Sequence, residues 1–211
     1  MNIINNIFTR FLNPRVIQYS PPRSGSTLVY NILREIFPQK QIIKTHALER
    51  RFERDQIVST YRNPLDAISS SINRYKLEAT DDVIEQQIQE FKENGLYDIF
   101  KVIDSPKTLL LKYEDFYDNF DYIYANLESH FNITLNQELK DSISSKLSIP
   151  SVKKMTAKMN DFSEFDPENH FHGNHISEFN GQIGRYNQVL NKQQAEHIRT
   201  ELADYMKHFG Y

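Results

Sequence analysis

Residues 16–33 constrain the fold more than any other stretch. The apolar run Val16-Ile-Gln-Tyr19 enters a hydroxyl-rich turn, Ser20-Pro-Pro-Arg-Ser-Gly-Ser-Thr27, which opens onto Leu28, Ile32 and Leu33 at helical spacing. A strand, a glycine turn and a helix in that order expose the first backbone N–H groups of the helix, which lack intrahelical partners and sit at the positive end of its dipole. An anion placed there gains hydrogen bonds and charge complementarity together. Arg23 adds a fixed cation. The turn lacks the Gly-Lys-Ser/Thr ending with which nucleoside triphosphatases hold their substrate, so an anion of another kind is expected.

The rest of the sequence limits what that anion can belong to. A chain of 211 residues can bury a core without staples, and no linker or repeat divides it, so one domain over 1–211 is expected. A net charge of −3 gives no broad basic field, which argues against nucleic acid as a partner and makes anion binding local. The absence of cysteine removes disulfides, thiolate metal ligands and cysteine nucleophiles at once. No apolar run approaches the ~18 residues that cross a bilayer. The amino-terminal segment lacks the basic start and continuous apolar core of a signal peptide, so a cytoplasmic location is the default expectation. Ile3, Ile4, Ile7, Phe8 and Phe11 have helical spacing, which fits a short helix packed on the domain better than an interfacial anchor.

Along the chain, strand and helix patterns alternate. A helix is expected over 27–37, ended by Pro38, and short strands over 41–46 and 56–61. Asn63 as N-cap, Pro64 at the first helical position and Asp66 in the first turn start a helix that runs to about Leu77. Residues 81–103 are amphipathic with an interruption at Gly95, and 108–113 form a buried strand followed by an acidic, aromatic helix from Glu114 to Phe131. Further helices are expected over 136–147 and 190–209, with 148–184 an irregular lid or loop rich in Ser, Asn, His, Lys and Gly. The pattern implies an α/β domain with a central, mainly parallel sheet flanked by helices.

In such a sheet the carboxyl ends of the strands gather at one edge, where ligands bind. Three polar features then converge: the turn after Ser20, the strand end Lys44-Thr-His46 and the strand end Arg62-Asn-Pro64. Ser70 lies seven residues after Asn63, about two helical turns along the same face, so one anionic group could touch both Arg62 and Ser70.

These residues resemble those of the sulfotransferases that use 3′-phosphoadenosine 5′-phosphosulfate, and the likeness extends over most of the chain in four ordered blocks. Pro22-Arg-Ser-Gly-Ser-Thr27 is similar to the family's 5′-phosphosulfate loop, in the arginine form of bacterial and tyrosylprotein members. Arg62-Asn-Pro-Leu-Asp-Ala-Ile-Ser-Ser70 resembles the 3′-phosphate motif, whose arginine and serine stand eight positions apart. Tyr113-Glu-Asp115 resembles the strand end that lines the adenine site, and Gly181-Gln-Ile-Gly-Arg-Tyr186 the carboxyl-terminal glycine motif that closes over the nucleotide.

The resemblance implies a sulfotransferase fold, related to that of P-loop nucleotide hydrolases, and transfer of a sulfuryl group to a hydroxyl or amine. It assigns the donor to Arg23, Ser24, Gly25, Ser26, Thr27, Arg62, Ser70, Tyr113, Gly181, Gly184 and Arg185. It makes His46 the base, with Lys44 and Arg23 assisting at the sulfonate, and Glu49 a reserve base after the tyrosylprotein members. An acceptor proton must leave as the new bond forms, so a base is needed. No multiply charged triphosphate has to be neutralised, and the motifs carry no acidic cluster, so no metal is expected. A zinc reading of His170, His172 and His175 lacks cysteine or carboxylate partners.

The sequence also departs from the family's pattern. Phe179-Asn180 stands where cytosolic members carry an arginine-lysine pair on the 3′-phosphate, leaving Arg185, His172 or His175 as candidate replacements. The family's dimer segment has no counterpart in 187–196, so the oligomeric state is open. A kinase reading is opposed by the missing lysine-Ser/Thr and Walker-type acids, and a non-catalytic nucleotide-binding module by the presence of His46 and Arg23. Acceptor identity is open among small alcohols, sugars, lipids and peptides, with 49–54 and 148–184 the expected walls.

Overall fold

The computed structural model describes residues 15–52, 54–173 and 175–211, so the proposed amino-terminal helix lies outside the described residues. Four parallel strands, β1 (Arg15–Tyr19), β2 (Gln41–Thr45), β3 (Gln56–Tyr61) and β4 (Thr108–Lys112), form a sheet in the order β2-β1-β3-β4. Their apolar side chains alternate between two faces, as strand geometry requires. Ile17, Tyr19 and Ile57 enter one core, shared with α2 (Pro64–Tyr75), α3 (Asp81–Glu93), α8 (Lys192–Glu201) and α9 (Ala203–Phe209). Val16, Val58 and Leu111 enter the other, with α1 (Ser26–Ile36), α5 (Phe120–Phe131), α6 (Gln137–Leu147) and α7 (Ile149–Thr156). The architecture is α/β, with helices covering both faces of a parallel sheet. No described helix is long and apolar enough to cross a membrane.

Register sets the site. Tyr19 pairs with Thr45 on one side and Ser59 on the other, and Tyr61 pairs with Lys112. The residues that follow the strands, Ser20, His46, Arg62 and Tyr113, therefore emerge at one edge. A buried hydroxyl network fixes the turn after β1: Ser20 Oγ accepts from Thr60 N (2.9 Å) and Gln18 Nε2, while Ser24 Oγ donates to Pro21 O (2.7 Å) and pairs with Thr60 Oγ1 (2.9 Å).

Several expectations are corrected. The segment 148–184 is not irregular throughout, because Ser148 caps α7 by accepting from Ser151 N and Pro150 sits in its first turn. The helix expected from Glu114 to Phe131 is broken: α4 (Tyr113–Phe116) ends before Asp118, which takes a left-handed φ of 53°, and Asn119 caps α5 anew. The stretch 81–103 divides at Gly95 into α3 and a 3-10 helix, Leu96–Lys101. The last helix divides at Leu202, between α8 and α9.

Candidate functional site

Above the strand ends lies a cavity of about 720 Å³. Arg23, Gly25, Ser26 and Thr27 form one wall, Lys44 and His46 a second, and Arg62, Ser70, Tyr113 and Gly181 a third. The first wall is the start of α1. Gly25 caps it at φ 85°, a left-handed conformation that glycine adopts without strain, and a Cβ there would lie 2.8 Å from the Phe116 ring. No side chain caps α1, so its first N–H groups are left for a ligand. Arg23, itself left-handed at φ 61°, donates from Nε and Nη2 to Ser70 Oγ at 3.1 and 2.9 Å. Burial, and then the neighbouring Arg62 charge, lower its pKa to about 10, so it stays charged at neutral pH.

Arg62, only 5% exposed, lies flat over Tyr113 with its guanidinium carbon 4.1 Å from the ring centre. Nη1 donates to Arg23 O, and Nη2 to Gly181 O and Gln182 O, at 3.2–3.3 Å. Its Nε is buried without a partner. The expectation that one group touches both Arg62 and Ser70 is met only in that both line this cavity, since Ser70 itself is bound to Arg23.

The motifs also fasten to one another. Tyr113 OH donates to Gly181 O (2.7 Å), and buried Asp66 accepts from Gly184 N (2.7 Å) and Tyr186 N (3.2 Å). Glu114 accepts from Asn63 N (2.9 Å) and Tyr211 OH (2.8 Å). A Cβ at Gly181 would stand 2.5 Å from Tyr113 OH.

His46 is held by its Nδ1, 2.7 Å from Ser20 O. A carbonyl only accepts, so Nδ1 carries the proton and Nε2 keeps its lone pair, 3.4 Å from Lys44 Nζ. Burial, and then the Lys44 charge, lower the His46 pKa to about 4, outweighing the opposite pull of the Ser20 carbonyl. His46 is neutral at pH 7. Burial and Arg23 lower Lys44 to about 8. The strand end is braced from below by Gly95, where a Cβ would lie 2.2 Å from His46 O, and by Asp98, which accepts from Leu48 N (2.9 Å).

Other candidates are placed elsewhere. The Ser24 side chain is turned into the hydroxyl network beneath the turn. Gly184 is bound to Asp66, and Arg185 is held by Gln182 Oε1 beside a neighbouring depression, so neither lines the cavity. Glu49 is paired with Arg51 at 2.8 Å and is also outside it. His172 and His175 do line the cavity, but burial lowers both, His175 to about 3, so neither is a cation near neutral pH. His170 packs edge-on to Tyr30, and His172 Nδ1 donates to Phe162 O (2.9 Å). Among the described residues no group of three or more His, Asp or Glu side chains is arranged to hold a metal ion.

Sequence reasoning missed Arg74, Phe162 and the orphaned Oδ1 of Asn180, all at the cavity wall. Arg74 had a signal, since it follows Ser70 by one helical turn. Phe162 and Asn180 lie outside regular helices and strands and had none.

By structure the chain is similar to solved sulfotransferases. Mouse sulfotransferase SULT7A1 complexed with PAP matches at a TM-score of 0.69 with 16% identity, over 92% of this chain and 84% of that one. Retinol dehydratase in complex with androsterone and inactive cofactor PAP matches at 0.61 with 17% identity, over 96% and 83%. Retinol dehydratase in a complex with retinol and PAP matches at 0.61 with 18% identity, over 96% and 84%. No protein-family model matches the sequence, and no curated protein matches it by sequence.

Proposed function

Because the chain has the sulfotransferase fold, we propose that it moves a sulfuryl group from 3′-phosphoadenosine 5′-phosphosulfate to a hydroxyl or amine acceptor. The observation that carries this reading is one cavity holding a tautomer-locked His46 between two separate guanidinium sites. A donor with a 5′-phosphosulfate and a distant 3′-phosphate requires two such sites.

The residues fit that donor. Arg62 Nε and Asn180 Oδ1 are buried without protein partners and line the cavity, which is costly unless a ligand satisfies them. The uncapped start of α1 has the same need. Bound there, the donor supplies an activated sulfuryl group, whose S–O bond to the 5′-phosphate breaks as the acceptor oxygen or nitrogen bonds to sulfur.

The chain's own groups do the rest. Arg23 and the N–H groups at the start of α1 hold the charge that develops on the leaving phosphate. His46 Nε2, already unprotonated, takes the acceptor's proton. Lys44 stands beside it as a cation for the sulfonate oxygens. Arg62 and Ser70 hold the 3′-phosphate, and Tyr113 and Gly181 shape the nucleoside pocket between the two guanidinium sites.

The test is a labelled-sulfate transfer assay across acceptor classes, run with thermal stabilisation by adenosine 3′,5′-bisphosphate. At a hundredfold excess over its dissociation constant the bisphosphate is expected to stabilise the fold by about 2.7 kcal/mol. No stabilisation at saturating ligand, together with no transfer to any acceptor class, sinks the reading.

A further inference from the structure

The cavity contains a cation that the proposed donor does not use. Arg74 follows Ser70 by one turn of α2 and lines the same space. Its guanidinium carbon is 3.6 Å from the centre of the Phe162 ring, and His172 stacks on that ring at 4.1 Å. Two planar groups so close to one centroid cannot share a face, so Phe162 is held between them. Tyr75 closes the edge of the ring at 5.3 Å. The guanidinium is thus positioned by stacking, with its donors unspent. Among the described residues Arg74 has no hydrogen-bond or ion-pair partner, and its Nε is buried.

The protein does not balance this charge. Two carboxylates line the cavity, Glu90 and Asp118. Glu90 is engaged, accepting from Gln86 Nε2 (2.9 Å) and Gln87 Nε2 (2.8 Å). Asp118 belongs to the left-handed turn after Tyr117, at the break between α4 and α5. A partly buried guanidinium without a counter-ion is costly to keep, and a bidentate oxyanion is the ligand its fork fits. Much of the remaining wall is apolar, built by Phe91, Ile149, Val152, Phe171 and Ile176.

We infer that the acceptor is itself an anion: a hydroxyl compound with an apolar body and a carboxylate or similar oxyanion group, whose oxyanion pairs with Arg74 while its hydroxyl reaches His46. This rests on the sulfotransferase reading and specifies its acceptor class. Arg74 is then a specificity-determining contact that selects acceptors by charge.

The experiment compares three hydroxy acids with their primary amides: 3-(4-hydroxyphenyl)propanoate, 12-hydroxydodecanoate and methyl glucuronide. Each is titrated calorimetrically into the full chain saturated with adenosine 3′,5′-bisphosphate, and transfer from labelled donor is followed in parallel. At least one acid is expected to bind about 10-fold or more tightly than its amide, a preference that Arg74→Gln reduces to near parity and Arg74→Lys retains in part. Bisphosphate stabilisation should be unchanged in both variants.

Three results overturn the inference: wild-type protein that favours no acid over its amide, a preference that survives Arg74→Gln, or loss of bisphosphate binding in Arg74→Gln, which would put Arg74 on the donor. Failure of the sulfotransferase reading shows separately, as wild-type protein that the bisphosphate does not stabilise. Acid and amide are then titrated without it, and parity there overturns the anion site as well.

Discussion

His46 and Arg62 stand at the ends of neighbouring inner and edge strands, yet their surroundings fit them for different work. The Ser20 carbonyl fixes the imidazole tautomer, and nearby positive charge keeps the ring neutral, so its exposed chemistry is a lone pair beside Lys44. Arg62 instead spends its donors on the carbonyls of Arg23, Gly181 and Gln182 and stacks on Tyr113, which joins the parts of a nucleotide pocket. His46→Ala is therefore expected to lower kcat by about 10²–10⁴-fold while bisphosphate affinity stays near wild type. Arg62→Ala should do the converse, weakening bisphosphate binding by about 2–5 kcal/mol. Calorimetric titration and steady-state kinetics on the two variants separate these effects. Equal loss of ligand affinity in both would show that the division of labour is wrong.

At the level of elements, the strand ends were readable because period-two apolar runs, a cap at Asn63 and a proline at Pro64 are local signals, and parallel pairing then brings Ser20, His46, Arg62 and Tyr113 together. The breaks at Asp118 and Leu202 were not readable, since each interrupts a continuous amphipathic pattern that tertiary packing divides. Helix α7 was hidden by a polar composition, although Ser148 and Pro150 carried its start. Arg74 escaped because a lone arginine on a helix is usually solvated, and only the fold shows it beneath Phe162. Gly95 was read as an interruption, whereas it is also a brace: its φ of 80° and a Cβ position 2.2 Å from His46 O leave no room for a side chain. Gly95→Ala is expected to cost about 1–3 kcal/mol in denaturant unfolding. It should also lower kcat more than bisphosphate affinity, because the displaced segment carries His46. Unchanged stability and turnover would mean that this contact does not position the strand end.

For the molecule as a whole, the distribution of charge matters more than its sum. A chain with a net charge of −3 gathers Arg23, Lys44, Arg62 and Arg74 around one cavity, whose two lining carboxylates are Glu90 and Asp118. Burial and this mutual repulsion lower Lys44 to about 8, so in the free protein it loses its proton within reach of ordinary buffers. A bound bisphosphate reverses the sign of the local field and raises the Lys44 pKa, so protonated Lys44 favours binding and binding favours protonated Lys44. Affinity should then be level below pH 8 and fall as pH rises through 8 toward the higher pKa of the complex, by at most about tenfold per pH unit for one proton. The ligand's own phosphates finish titrating near pH 6 and do not contribute in that window. Arg23, lowered only to about 10, begins to contribute at the upper end. Calorimetry between pH 7 and 9, in buffers of different ionisation enthalpy, should show net proton uptake on binding, and Lys44→Met should remove most of it. Proton release, or uptake undiminished in Lys44→Met, would place the ligand's charge away from Lys44 and separate the anion site from the base.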